Sequence, residues 1–167
     1  MKPAIHYFLT IMVIFLLTAC DDNLMATDSA TFENTTWNAD QEIDFQMEPI
    51  DTINDYDIYL NMRNNQDYAY KNLWLITQMK FPQGKIVTDT LQYAMANARG
   101  EFLGSGKDVV ENKLVFKSGF RFRESGTYQL KLQQAMRKSG SATPLQELSG
   151  VLDVGYTIEK QIENGSN

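Results

Sequence analysis

The chain has 167 residues, a formal net charge of -6, and only one histidine and one cysteine. A net acidic chain is a poor partner for nucleic acid or anionic headgroups, so we expect no nucleic-acid binding. A single cysteine excludes an internal disulfide, and the length suits one domain with its own core.

The first nineteen residues have the three parts of a bacterial secretory signal. Lys2 precedes an apolar stretch at residues 7–17, and two small residues then precede Cys20. The apolar stretch is shorter than the roughly 20 residues that span a bilayer. Residues 17–20, LTAC, resemble the lipobox, in which the cysteine receives a diacylglyceryl group and becomes residue one after cleavage. We therefore predict a signal peptide at residues 1–19 and lipidation of Cys20.

Lipidation and cleavage would leave little catalytic chemistry. The mature chain would lack histidine and its one thiol would be a thioether, which removes Ser-His-Asp and Cys-His catalysis and histidine-based zinc sites. No catalytic residue, cofactor or metal ion is predicted, and we expect a protein that is not an enzyme. Its partner at the membrane would be the lipid bilayer, because two or three acyl chains anchor a protein without a transmembrane helix.

Residues 20–31 are small and polar without a period, which predicts a lipidated flexible tether. Asp21 and Asp22 directly follow the cysteine. They are either a sorting signal that selects the membrane or leaflet, or the solvated start of the linker, and the sequence does not separate the two.

Beyond residue 31 the dominant period is two, which is typical of strands with one buried face. The predicted strands are residues 56–63, 73–80, 114–117, 120–123, 128–133 and 152–159. Both faces of residues 73–80 are apolar, so that strand should lie centrally. Turn residues separate the runs, and helix-compatible residues at 93–99 and 145–148 predict a turn or two at most.

This pattern predicts an all-β fold. We expect an antiparallel two-layer β-sandwich, jelly-roll or immunoglobulin-like, with few or no helices. A single domain should cover residues 32–162, followed by a disordered tail at 163–167.

Aromatic residues are the main candidates for an interaction surface: Trp37, Tyr59, Tyr68, Tyr70, Trp74 and Tyr93. They either pack in the core or form a sheet face for glycan stacking or protein docking, with Trp37, Tyr68, Tyr70 and Trp74 as the interaction candidates. Trp74 faces opposite Leu73 and Leu75, so it lies either in a second buried layer, which we favour, or on an exposed face.

Other polar clusters have simpler interpretations. An acidic loop (Asp51, Asn54, Asp55 and Asp57) lacks the spacing of a calcium loop and is better explained as solvated. Glycines at 100, 104 and 106 fit turns or bulges better than a phosphate loop. Three basic residues (Lys117, Arg121 and Arg123) fit a solvated sheet face. Glycoside hydrolysis by a carboxylate pair, drawn from Asp89, Glu101, Asp108 or Glu111, is the least favoured hypothesis for the function of the chain.

Several segments, in order along the chain, resemble the GldH-type gliding-motility lipoproteins of Bacteroidetes. The segments are YAYKNLWL from Tyr68, DTLQY from Asp89, GEFLGSG from Gly100, SGTYQLKLQQAMR ending at Arg137 and LSGVLDVGYTIEK ending at Lys160. Trp37 stands where that family's early tryptophan is expected. Phe102 departs from the family pattern, which more often has tryptophan there, but it keeps an aromatic ring.

The resemblance implies an envelope lipoprotein of the gliding machinery, whose components overlap with type IX secretion. It implies a non-enzymatic binding or assembly module, anchored in the outer membrane, with other gliding or secretion envelope proteins as partners. Relatives are also present in Bacteroidetes that do not glide. A surface glycan-binding lipoprotein that uses an aromatic sheet face is the alternative.

Overall fold

Alternating apolar and polar residues form strands along most of the chain. A computed structural model describes residues 23–48, 51–138 and 140–161. Among these residues there are ten strands: β1 (Leu24–Thr31), β2 (Thr36–Asn38), β3 (Ile43–Met47), β4 (Tyr56–Asn64), β5 (Asn72–Lys80), β6 (Ile86–Ala94), β7 (Val110–Phe120), β8 (Tyr128–Gln134), β9 (Glu147–Ser149) and β10 (Val151–Lys160). One 3-10 turn lies at Glu33–Thr35, and the described residues contain no α-helix.

Two four-stranded antiparallel sheets form the sandwich. The first sheet has the order β1-β10-β4-β7 and the second has the order β3-β8-β5-β6, while β2 and β9 form a separate pair. The prediction of an all-β antiparallel sandwich is confirmed. β5 lies between β8 and β6, so its predicted central position is confirmed as well.

The core lies between the inward faces of the two sheets. In β4 the even-numbered residues from Tyr56 to Met62 are all buried, and in β8 Tyr128, Leu130 and Leu132 are buried. Phe45 of β3 meets Tyr156 of β10 edge to face, with ring centroids 5.5 Å apart. Burial of each such side chain contributes about 1.5–3 kcal/mol, which explains how the sheets hold together without a disulfide.

The two ends of the sandwich differ and are named here by the strands that end there. The N-terminal pole holds Leu24, Tyr56, Lys80 and Phe120, because Leu24 pairs next to the end of β10 and β10 ends opposite Tyr56. The rings of Phe81 and Phe120, 6.3 Å apart, join the two sheets at this pole. The distal pole is the opposite end, where β5 and β10 begin and β4 ends.

The prediction of a flexible tether is wrong for residues 24–31. These residues form β1, which pairs with β10 in antiparallel register from Leu24 to Thr31. β1 is an edge strand with one exposed face, so it needs few apolar residues: only Met25, Ala26 and Ala30 pack against the core. The sandwich therefore begins at Leu24 and not at residue 32.

Other boundaries also differ from the prediction. Residues 93 and 94 end β6, and residues 147–149 form β9, so neither helix-compatible segment is helical. β7 ends at Phe120, so residues 121–123 of the predicted strand 120–123 lie in a loop. The side chain of Phe122 in this loop is buried in the core. β3 and β6 were not predicted. Within the described residues no helix is long and apolar enough to cross a bilayer.

The remaining sequence predictions fall outside the described residues. They are the signal peptide at 1–19, Cys20, Asp21, Asp22 and the tail at 163–167.

Candidate interaction groove

A groove of about 690 Å³ opens on the outward face of the second sheet, near the distal pole. This volume lies within the range of small-ligand sites, about 300–1,000 Å³. The side chains that give the groove its character are Tyr70, Lys71, Trp74, Ile76, Thr90 and Arg137.

Strand β5 forms the floor of the groove. Its alternation buries Leu73 and Leu75 in the core and turns Trp74 and Ile76 outward. Thr90 of β6 lies opposite Ile76 in the register, and its short side chain leaves space above the sheet. The groove is therefore a product of strand alternation together with one small neighbour.

The chain that follows β8 forms one wall of the groove. The backbone N–H of Ala135 donates to the carbonyl of Trp74 at 2.9 Å, and the N–H of Trp74 lies 3.3 Å from Sδ of Met136. A second hydrogen bond, from the N–H of Leu145 to the carbonyl of Met136, ties this wall to the next segment. Trp74 is thus held by its own backbone, while its partly buried ring lines the groove.

Tyr68 and Tyr70 shape the rim of the groove in different ways. Tyr68 is 3% exposed, its hydroxyl donates to the carbonyl of Asn72, and burial raises the pKa of its hydroxyl above the ordinary value. Tyr70 is only partly buried and meets Tyr68 edge to face at 5.9 Å. A buried ring therefore supports an accessible one.

The charges at the groove are cationic. Lys71 and Arg137 both line it, and no lining residue is acidic. The Nζ of Lys71 donates to the carbonyl of Ala98, and neither cation forms a salt bridge with any described residue. The groove offers two aromatic rings, an apolar floor and two cations, which suits an aromatic, apolar or sugar ring next to an anionic or acceptor group.

The structure narrows the four aromatic candidates to two. Trp37 is fully buried, stacks on Phe32 at 5.2 Å and donates from Nε1 to the carbonyl of Gln41. Trp37 and Tyr68 are therefore core residues and offer almost no surface to a partner. Trp74 and Tyr70 line the groove, and both are partly buried and pack against the core, so Trp74 lies neither in a fully buried layer nor on a fully exposed face.

Two further aromatic residues are engaged within the fold. The Nζ of Lys113 lies 4.2 Å from the ring centroid of Tyr59, and the hydroxyl of Tyr93 donates to the carbonyl of Val115. Both contacts tie strands together on or near the surface. Neither ring adds to the groove.

The carboxylates of the acidic loop form hydrogen bonds and an ion pair within the domain. Asp51 accepts hydrogen bonds from the backbone N–H of Asn54 and from other donors nearby, which lower the pKa of its carboxyl. Asp55 forms a two-point pair with Arg121, and Asp57 accepts hydrogen bonds from residues 118 and 119. Within residues 23–48, 51–138 and 140–161, no group of three or more histidine, cysteine or acidic residues is placed to hold a metal ion.

The glycines and the basic residues also have structural roles. A Cβ at Gly104 would lie 2.5 Å from the carbonyl oxygen of Glu111, so this glycine permits a close backbone approach. Lys117 pairs with Asp89 at 2.8 Å, which joins the edges of the two sheets. The hydrogen bond from Arg121 lowers the pKa of the Asp55 carboxyl, and exposed Arg123 nearby adds to this effect.

The four carboxylates considered for glycoside hydrolysis have separate surroundings. Asp89 is paired with Lys117, and Glu101 accepts from Asn97 and Arg99. Asp108 and Glu111 are exposed. The groove contains none of the four.

Sequence reasoning missed Lys71, Met136 and Arg137 as groove residues. Arg137 ends one of the segments that carried the family resemblance, but its place depends on how residues 135–137 fold back onto Trp74. No periodic pattern signals such a non-local contact.

Comparisons with known proteins give a consistent result. A model of the GldH lipoprotein family matches residues 25–158. The chain is 44% identical over 161 residues to a protein named gliding motility lipoprotein GldH homolog from Christiangramia forsetii, covering 96% of this chain and 98% of that relative. It is 33% identical over 152 residues to the gliding motility lipoprotein GldH of Flavobacterium johnsoniae, covering 90% and 94%. None of these descriptions names an enzyme.

Solved structures are similar only at a low level. The structure of infectious bursal disease virus Gx strain covers 86% of this chain at 13% identity and a TM-score of 0.30, and the chain spans 31% of that chain. The VP2 subviral particle of that virus covers 84% at 13% identity and a TM-score of 0.29, with 40% of its chain spanned. Similarity at this level does not bear on function.

Proposed function

The chain belongs to the GldH lipoprotein family, and from this membership we propose that it is a lipid-anchored component of the gliding-motility machinery of the cell envelope. The observation that carries the proposal is the pair of relatives named as gliding motility lipoproteins, which this chain matches along nearly their whole length. We further propose that it works as a non-enzymatic assembly module linked to type IX secretion.

The proposed anchor is Cys20, acylated after cleavage of residues 1–19. Each buried methylene of an acyl chain contributes about 0.8 kcal/mol, so two or three chains hold a protein on a membrane almost permanently. Tethering raises the effective concentration of the domain for neighbouring machinery, and a modest contact can then be enough for assembly. We assign the anchor to the outer membrane, with Asp21 and Asp22 as the candidate sorting signal.

The groove is the proposed contact for other gliding or secretion proteins. Its support is physical: partly exposed Trp74 and Tyr70 line the groove together with Lys71 and Arg137, and neither cation forms a salt bridge with a described residue. Aromatic and arginine side chains are frequent anchors of protein interfaces.

A pull-down after crosslinking in intact cells tests the proposal. We expect the wild-type protein, solubilised from membranes, to recover gliding or secretion envelope proteins. Cys20→Ser should leave the membrane fraction and lose them. Recovery of no such protein, with the wild-type lipoprotein intact and membrane-bound, would contradict the proposed function.

A second candidate, glycan binding at the cell surface, is favoured by one observation. Trp74 and Tyr70 both present ring surface to the same groove, and aromatic rings stack on sugars. Glycan-array binding that is lost in Trp74→Ala, with an unchanged circular dichroism spectrum, would support this candidate. Absence of binding by wild-type protein would count against it.

A further inference from the structure

The N-terminal pole lies close to the proposed anchor. Asn23 is the first described residue, and its carbonyl accepts a hydrogen bond from the N–H of Lys160 at the end of β10. Leu24 follows Cys20 by four positions, and four fully extended residue steps span at most about 14 Å. An acylated Cys20 therefore keeps this end of the sandwich within about 14 Å of the bilayer.

Exposed apolar side chains are concentrated at the same pole. Ile53 is 76% exposed in the loop before β4, Ile86 is 52% exposed at the start of β6, and Leu24 is 43% exposed at the start of β1. Five large apolar side chains are at least 43% exposed among the described residues, and these are three of them. Ile53 precedes a strand of the first sheet and Ile86 begins a strand of the second, so together they mark the end of the sandwich and not one strand.

Cations surround these apolar side chains. The exposed ones at the pole are Lys80, Lys85, Arg121, Arg123 and Lys160. Within the described residues, only Arg121 among them forms a salt bridge. Lysine and arginine can lay their apolar stems along a membrane interface and keep the charge at the level of the phosphates.

The acids of this pole are mostly satisfied by the protein itself. Asp51 is bonded within its loop, Asp55 is paired with Arg121, and Glu124 accepts the backbone N–H of Gln83. Among the described acids of the pole, Glu48 is the exposed one. Among the described residues, the accessible charge at this end is therefore mainly positive, although the whole chain is acidic and Asp21 and Asp22 lie between Cys20 and the pole in the sequence.

We infer that the N-terminal pole is a membrane-contact surface, on which Ile53 and Ile86 enter the headgroup region of the bilayer while the surrounding cations meet lipid phosphates. The inference rests on the proposed anchoring at Cys20. It adds a defined orientation to the tether: β5 begins beside the groove and ends at this pole, and the four steps from Ile76, the groove residue nearest the pole, to Lys80 span about 13 Å. The groove is then held away from the bilayer, where an envelope partner can reach it.

Single cysteines test the contact in the full lipidated protein. The chain has one cysteine, which is blocked by acylation, so an introduced cysteine is the only free thiol. Ile53→Cys and Ile86→Cys place a small fluorophore at the pole. Leu103→Cys and Val115→Cys are matched controls, because both side chains are 57% exposed elsewhere on the domain. Each labelled protein is reconstituted into vesicles of phosphatidylethanolamine and phosphatidylglycerol that carry nitroxide lipids.

Several-fold stronger nitroxide quenching is expected at positions 53 and 86 than at 103 and 115, together with protection from an aqueous quencher. Equal quenching at all four positions, in protein that floats with the vesicles, would overturn the contact and leave the anchor intact. Protein that does not float would contradict acylation at Cys20 instead. Probes at 53 and 86 that are shielded only in intact cells would assign the pole to a protein partner. Probes that are shielded only at high protein concentration would assign it to a second copy of this chain. Either result would also overturn the inference.

Discussion

The two tryptophans of the chain should respond very differently to removal of the ring. Trp37 is fully buried against Phe32, whereas Trp74 lies on an open groove. Trp37→Ala and Trp74→Ala are therefore a matched pair of substitutions that separate core from surface.

The magnitudes follow from burial. Truncation of a buried tryptophan costs about 3–5 kcal/mol, because it removes the packed ring and leaves a cavity. Trp37→Ala also leaves the carbonyl of Gln41 without its donor. Trp74→Ala opens no closed cavity, since the groove is already accessible, and should cost about 1–2 kcal/mol.

Urea unfolding at equilibrium measures the difference. With a slope of about 2 kcal/mol per molar, Trp37→Ala should lower the urea midpoint by about 2 M and Trp74→Ala by less than about 1 M. Each variant keeps one tryptophan as its own fluorescent reporter, and acrylamide should quench Trp74 more strongly than Trp37. Equal shifts of the midpoint, or equal quenching, would refute the placement of Trp74 on an accessible groove.

Three further predictions concern stability. Gly150 has a φ of +82° and an added Cβ would lie 2.2 Å from a backbone nitrogen, so Gly150→Ala should lower the free energy of unfolding by more than about 2 kcal/mol. Gly100 has a φ of +86° but open space around it, so Gly100→Ala should cost only about 1–2 kcal/mol in the same urea assay. Similar losses in the two variants would contradict the close contact at Gly150. Asn112→Leu removes the amide that donates to three oxygen atoms in a buried setting and should cost about 1–3 kcal/mol by thermal unfolding, and an unchanged midpoint would argue against that network. The pKa of Asp51 is lowered in the folded state, so the stabilisation from its carboxylate is present above its unfolded pKa of about 4 and is lost as the pH falls further. Asp51→Asn should therefore lose less melting temperature than the wild type between about pH 4 and about pH 2. Parallel declines in the two proteins would exclude this role of Asp51.

Strands with one strongly apolar face could be predicted from the sequence. β4 and β8 alternate so regularly that their inward residues are evident before the fold is known. β6 was missed because it is an edge strand whose outward positions are Thr88, Thr90 and Gln92, with little apolar contrast. β1 also has little apolar contrast. In addition, it is held by backbone pairing with β10, which lies near the other end of the chain and cannot be anticipated from local sequence.

The candidate site could be predicted only in part. Alternation shows that Trp74 points away from Leu73 and Leu75, but it does not show whether a second layer covers that face. The fold leaves the outward face of the second sheet open, which makes Trp74 a groove residue. Trp37 and Tyr68 lie in short or irregular segments without a period, so their burial follows only from tertiary packing.

Site-specific photo-crosslinking in intact cells tests the central claim most directly. A photoreactive residue at position 76 lies in the groove, and one at position 115 lies on the outward face of the other sheet and serves as the control. We predict that position 76, and not position 115, captures a gliding or secretion protein of the envelope, identified by mass spectrometry. Capture of no such protein from position 76, or equal capture from both positions in intact membrane-bound protein, would contradict an assembly module that works through the groove.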